Sequence, residues 1–157
     1  MLVRKYKKSD KEVVEKIFAL HWTDPEFLKE LSNELESYNQ TKLNRYSNFF
    51  IAEKNKEILG IVGFRKLPDY LKPFALTNKP VELYIIAVKY KRIGIGKILK
   101  LKLIEEVSKS GFSEILLYSP GSHNESWKFH DILGFERVGE VTPPEDDKGQ
   151  VWRKIFK

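Results

Sequence analysis

The chain has no cysteine and a single methionine among its 157 residues. Disulfide staples, thiolate metal sites and a cysteine nucleophile are thereby excluded. Histidine is scarce as well: His21, His123 and His130 are the only ones, and their spacing suits no metal ion, so none is expected. Long apolar runs are missing too. The longest covers residues 83–88, far short of a bilayer span, and the charged start Met-Leu-Val-Arg-Lys-Tyr-Lys-Lys has no apolar stretch behind it. Neither a signal peptide nor a membrane partner is expected, which implies a cytoplasmic location. No repeat or linker composition interrupts the chain. With 41% hydrophobic residues it is long enough for one core, so a single domain over 1–157 is expected.

What the chain has in excess is positive charge: 28 Lys and Arg against 22 Asp and Glu, a net charge of +6. A basic domain with 13% aromatics could bind nucleic acid. The lysines, however, are spread as pairs (Lys7-Lys8, Lys54 and Lys56, Lys100 and Lys102) instead of being gathered on one helix, which reads as solvated surface. Nucleic-acid binding therefore stands as an alternative, with no nucleic-acid partner expected.

The densest information lies at residues 81–97. Val-Glu-Leu-Tyr-Ile-Ile-Ala-Val, 81–88, predicts a buried strand. Ile95, Leu99, Leu103 and Val107 then recur every four residues up to Gly111, which predicts a helix. Between them runs Lys91-Arg92-Ile93-Gly94-Ile95-Gly96. A glycine turn between a strand and a helix N-terminus presents free amides and a positive dipole end, so an anion is its natural guest. The dinucleotide fingerprint GxGxxG fails, because Leu99 stands where a third small residue is needed for close helix-to-strand approach. The phosphate loop GxxxxGK[ST] fails too: Lys91 replaces its first glycine and Ile98 its hydroxyl residue.

The remaining pattern, [QR]xxGx[GA] after a strand, resembles the acyl-CoA turn of the GNAT superfamily of N-acetyltransferases. Lys91 stands where that family prefers Arg or Gln, and Arg92 where it often has Gly. A second segment, His123-Asn-Glu-Ser-Trp-Lys-Phe-His-Asp-Ile-Leu-Gly-Phe135, is similar to the family's final helix, NxxAxxxYxxxGF. Aligned on Gly134-Phe135, Ser126 takes the small position and His130 the tyrosine position, with Asn124 one residue off the usual asparagine. Read by itself the segment predicts a helix capped by Asn124 and stopped by Gly134.

The rest of the chain predicts a first strand over 2–6, helices over 11–20 and 25–38, a hairpin of 49–53 with 58–66 around Lys54-Asn55-Lys56-Glu57, a proline- and aromatic-containing loop over 67–80, a strand over 113–118, and a closing hairpin of 135–141 with 151–156 around the turn 143–150. The fold class is α/β. The resemblance further implies a GNAT-like, mixed and mostly antiparallel sheet of six or seven strands with about four helices.

The resemblance also implies acetyl-CoA as co-substrate and an amine acceptor as partner. The product would be an N-acetylated primary amine, formed by direct attack in a ternary complex. In that fold two neighbouring strands splay and admit the pantetheine arm. This carries cofactor binding to the main chain of Tyr84, Ile85 and Ile86, to Lys91, Arg92, Ile93, Gly94, Ile95, Gly96 and Lys97 for the pyrophosphate, and to Asn124. For the base, Glu82 shares strand parity with Tyr84 and Ile86, and the family often places a carboxylate on this strand; a partly buried carboxylate has a raised pKa, which suits a base. His21, Asp24 and Glu53 are weaker candidates. For the acid that protonates the departing thiolate, His130 holds the family's tyrosine position and Tyr118 competes with it. A small amine, a polyamine, an amino acid, and a protein N-terminus or lysine remain open as acceptors. A non-catalytic acyl-CoA-binding regulatory module and a homodimer are left open as well.

Overall fold

Asn55 and Lys56 both adopt left-handed backbone, φ 51° and 67°, the conformation a tight hairpin turn requires. They join β2 (Asn48–Lys54) to β3 (Glu57–Lys66), which pair antiparallel from Asn48 with Phe64 to Lys54 with Glu57. The structure is a computed structural model and describes residues 1–38, 48–144 and 146–156. Its remaining strands are β1 (Leu2–Lys5), β4 (Pro80–Val88), β5 (Glu114–Pro120), β6 (Glu136–Val141) and β7 (Gly149–Ile155), and its α-helices are α1 (Lys11–Ala19), α2 (Pro25–Ser37), α3 (Ile95–Lys109) and α4 (Trp127–His130). The strands form a sheet in the order β1-β2-β3-β4-β5-β7-β6. β4 with β5 is parallel; β1 with β2, β2 with β3, β5 with β7 and β6 with β7 are antiparallel. This is the mixed, mostly antiparallel sheet that the resemblance implies. Of the expected turn over 143–150, residue 145 lies outside the described residues.

The chain divides into two compact units, residues 1–64 with 85–106 and residues 65–84 with 107–157. In the first, α3 buries Ile95, Leu99 and Leu103, the every-fourth-residue stripe. A β-carbon on Gly60 of β3 would lie 2.9 Å from both Ala87 O and Leu99 Cδ1. The close helix-to-strand approach that Leu99 disfavours from the helix side is thus obtained from the strand side, by a glycine on β3. Asp24 caps α2 by accepting from Glu26 N–H, and Pro25 opens the helix as its fixed φ favours.

In the second unit, Leu67 and Leu71 join Leu116 of β5 and Val151 of β7 in a buried cluster. Leu71 belongs to a 3₁₀ helix, Asp69–Phe74, inside the stretch expected as open loop. Its far end is tied to β5, where the fully buried Glu114 carboxylate accepts from Leu76 N, Thr77 N and the Thr77 hydroxyl. The expected helix from Asn124 to Gly134 is corrected in both its start and its length. Residues Gly121–Ser126 form a 3₁₀ turn with a non-helical His123 (φ −111°, ψ 31°), so Asn124 is no N-cap and the α-helix covers only Trp127–His130. Consecutive left-handed residues, Leu133 (φ 64°) and Gly134 (φ 84°), then turn the chain into β6.

Candidate functional site

β4 alternates in exposure beyond Glu82: Tyr84 and Ile86 are half-buried, whereas Leu83 and Ile85 are buried. Its parallel register with β5 covers Pro80, Val81 and Glu82, and is not carried on to Leu83 and Tyr84. Past β4, Lys89 N donates to Leu59 O (2.8 Å), and the Lys89 and Tyr90 side chains both reach the Glu57 carboxylate. The start of the turn is thereby fastened to the β2–β3 hairpin. Arg92 and Gly94 are left-handed, φ 65° and 86°, and no atom lies within 4 Å of a β-carbon built on Gly94.

The first helical bond of α3 runs from Ile98 N to Gly94 O (3.2 Å). The amides of Ile95, Gly96 and Lys97 precede that ladder and have no acceptor within it, at the positive end of a 15-residue helix. Lys91, Arg92, Ile93 and Lys97 are exposed, Ile95 is buried beneath them and Gly96 is half-buried. Backbone donors and basic side chains therefore share one open turn, a chemistry suited to phosphate oxygens.

In the second unit, Glu82 is buried at 4% exposure, and its Oε1 accepts from Arg65 Nε at 2.5 Å. The Tyr70 hydroxyl donates to Oε2 at 3.4 Å. Burial pushes the Glu82 carboxyl above its ordinary value, with the Arg65 charge and the hydrogen bonds from Arg65 and Tyr70 working against it. Arg65 in turn stacks on Tyr84, its Cζ 3.8 Å from the ring centroid. Tyr70 meets Tyr118 edge to face at 6.0 Å. Neither Arg65 nor Tyr70 was among the sequence candidates. Arg65 is the next-to-last residue of β3, beside Lys66, and Tyr70 showed only as aromatic content of a loop; no spacing rule links either to Glu82.

His130 ends α4, buried at 6% exposure, with its ring 5.0 Å from Trp152 and Nε2 3.5 Å from Ser126 Oγ. The Tyr118 hydroxyl donates to the Asp147 carbonyl, and burial, first of several causes, raises its pKa. Asn124 lies within the 3₁₀ turn before α4. The weaker candidates have other engagements: His21 Nε2 contacts Val88 O (2.7 Å), Asp24 caps α2, and Glu53 pairs with Arg4. Among the described residues no cluster of three or more His, Asp or Glu could hold a metal ion, and no helix is long and apolar enough to cross a membrane.

Comparison with known proteins sets this geometry in context. The model of the acetyltransferase (GNAT) family matches residues 14–135. N-acetyltransferase family 8 member 3 of Mus musculus is 26% identical over 114 residues, 71% of this chain and 49% of that protein. The chain thus spans about half the length of the curated relatives it matches. Among solved structures, the ribosomal-protein-alanine N-acetyltransferase of Brucella melitensis superposes with a TM-score of 0.74 at 19% identity, covering 99% of this chain and 100% of that one. An aminoglycoside 6'-N-acetyltransferase complexed with coenzyme A gives 0.73 at 17% identity, covering 99% and 97%. At such identities the likeness shows the shared fold.

Proposed function

The chain belongs to the acetyltransferase (GNAT) family, and on that premise we propose that it transfers an acetyl group from acetyl-CoA to a primary amine. One observation carries the reading: β4 leads through the left-handed Gly94 into the free first turn of α3, with Lys91, Arg92 and Lys97 exposed around it. The amides of Ile95, Gly96 and Lys97 would hold the pyrophosphate, and Lys91 and Arg92 would neutralise it. Arg92 and Ile93 shape the turn. The pantetheine arm would pair with main-chain groups of Tyr84, Ile85 and Ile86, in the manner of an added strand; the end of the β4–β5 register at Glu82 supports that placement. Asn124 stays a cofactor contact proposed on the family resemblance alone.

Glu82 would act as base. It takes the ammonium proton, directly or through one water, and the freed amine attacks the thioester carbonyl carbon. The C–N bond forms, the C–S bond breaks, the nitrogen gives up its second proton to solvent water, and the leaving thiolate takes a proton from His130, with Tyr118 as the second candidate. The buried position of Glu82 and its raised pKa support the role of base. His130 has the better claim to the acid because the Tyr118 proton is engaged by the Asp147 carbonyl.

The two solved relatives described above are titled for different acceptors, a ribosomal protein and an aminoglycoside. Fold likeness therefore leaves the acceptor open. The reading is tested by titrating the protein with acetyl-CoA and CoA in a calorimeter, followed by CoA-release assays on an amine library. Saturation at 100 times the Kd should add about 2.7 kcal/mol to stability. No heat and no thermal shift at millimolar acetyl-CoA would overturn it.

A further inference from the structure

The Arg65–Glu82 pair is asymmetric in a way that bears on the acceptor. The Glu82 side chain is buried at 5% exposure, whereas the Arg65 side chain as a whole is half-buried at 29%. Arg65 uses Nε alone on Glu82. Its terminal nitrogens Nη1 and Nη2 meet no acceptor among the described residues, although the head group is held in place by the Tyr84 ring beneath it. An arginine stacked and anchored in this manner presents a planar pair of donors, the geometry that a carboxylate matches with two parallel hydrogen bonds.

We propose that the acceptor is an α-amino acid whose carboxylate docks on the Nη1–Nη2 edge of Arg65. This deepens the acetyltransferase reading and rests on it, with Glu82 as base. The charges agree: an ion pair of one guanidinium and one carboxylate is complementary to a zwitterion laid against it head to tail. In an α-amino acid a single carbon separates the amine from the carboxylate. A carboxylate on Arg65 therefore brings the amine beside the pair, where Glu82 receives its proton and the product is the N-acetyl amino acid. A polyamine or aminoglycoside would bring only positive charge to the guanidinium, and a protein N-terminus offers a neutral peptide carbonyl at the same place. Tyr84 lies under Arg65, and Tyr70 touches both Glu82 and the Tyr118 ring.

The test compares free L-amino acids with their own carboxamides, which keep the amine and side chain and lose only the carboxylate charge. CoA release is measured for wild type and for Arg65→Lys, which retains a charge for Glu82 but not the planar edge. The expected result is a kcat/KM for the free acid at least about tenfold above that of its amide, the value of a charged hydrogen-bonded contact. The difference should lie mainly in KM, and the acid-to-amide ratio should fall toward one in Arg65→Lys. An active wild-type enzyme that treats acid and amide alike, or that acetylates only amines without a carboxylate, overturns this inference and leaves the acetyltransferase reading standing. A wild type that binds no acetyl-CoA and acetylates no amine overturns both. Far-UV circular dichroism and melting of Arg65→Lys separate a lost contact from a lost fold, and the wild-type comparison needs no variant at all.

Discussion

Glu114 Oε1 accepts two hydrogen bonds from a single residue, one from the Thr77 amide at 2.9 Å and one from its hydroxyl at 2.8 Å. Both oxygens also face the Leu76 amide, so one buried carboxylate closes the end of the 67–80 segment onto β5. Glu114→Gln keeps one acceptor oxygen and replaces the other by a donor facing donors. Hydrogen bonds to charged groups are worth about 1.5–3 kcal/mol each, and a loss in that range is expected for the variant. Urea denaturation with an unchanged m-value would show it.

Gly94 has a left-handed φ of 86° and open space around it. Gly94→Ala therefore suffers from backbone strain and not from collision, at a cost of about 1 kcal/mol. Strain in the turn also displaces the α3 amides, so acetyl-CoA affinity should fall by more than stability does. Calorimetry and thermal melting on the same variant separate the two effects. Gly60→Ala should behave in the opposite sense. Its methyl would meet Ala87 O and Leu99 Cδ1 at 2.9 Å, costing about 1–3 kcal/mol by overpacking.

Glu82→Gln is expected to lower kcat by about two to four orders of magnitude, the range for loss of a general base. The folded-state pKa of Glu82 is raised, so its carboxylate is ionised only above the ordinary range, and with Glu82 in the proposed role the acid limb of the kcat/KM profile should lie above pH 4.5. That limb should vanish in the residual activity of Glu82→Gln. The linkage has the matching sign. A raised carboxyl pKa means that the native state holds its proton longer than the unfolded chain, so this group's contribution to stability declines as pH rises from 4.5 through the folded value.

Asp10 titrates with the opposite sign. Burial pushes its carboxyl up, but the two hydrogen bonds from Arg4 (2.8 and 2.9 Å) and the Lys7 amide outweigh burial and hold it below its ordinary value. Its contribution is complete above pH 3.8 and is lost as pH falls through the lower folded value. Asp10→Asn should reduce stability at neutral pH by about 1.5–3 kcal/mol and flatten this part of the acid-denaturation curve.

His130→Gln should lower kcat on the order of a hundredfold if the imidazole protonates the thiolate, whereas Tyr118→Phe should leave kcat within about twofold while losing the hydrogen bond to Asp147, worth about 1 kcal/mol. Steady-state kinetics on both variants, with melting curves alongside, check the assignment. A large kcat loss in Tyr118→Phe alone would transfer the acid to the tyrosine.

The sequence by itself determined the elements whose signals are local. The apolar run of β4, the four-residue stripe of α3, the Asp24-Pro25 start of α2 and the glycine turn at 91–96 each depend on residues within a few positions of one another, and periodicity and capping express that directly. The shared strand parity of Glu82, Tyr84 and Ile86 is local as well. The tertiary structure alone decided what meets those residues. Arg65 and Tyr70 reach Glu82 from 17 and 12 positions away, and Glu114 holds the 67–80 segment across 37. Such pairs are set by strand register and by the path of a connection, neither of which leaves a period in the chain. The short α4 has the same origin: Asn124 and Gly134 are a fair start and stop for a longer helix, but the non-helical His123 and the left-handed Leu133–Gly134 pair confine it to Trp127–His130, where His130 comes to lie against Trp152 of β7.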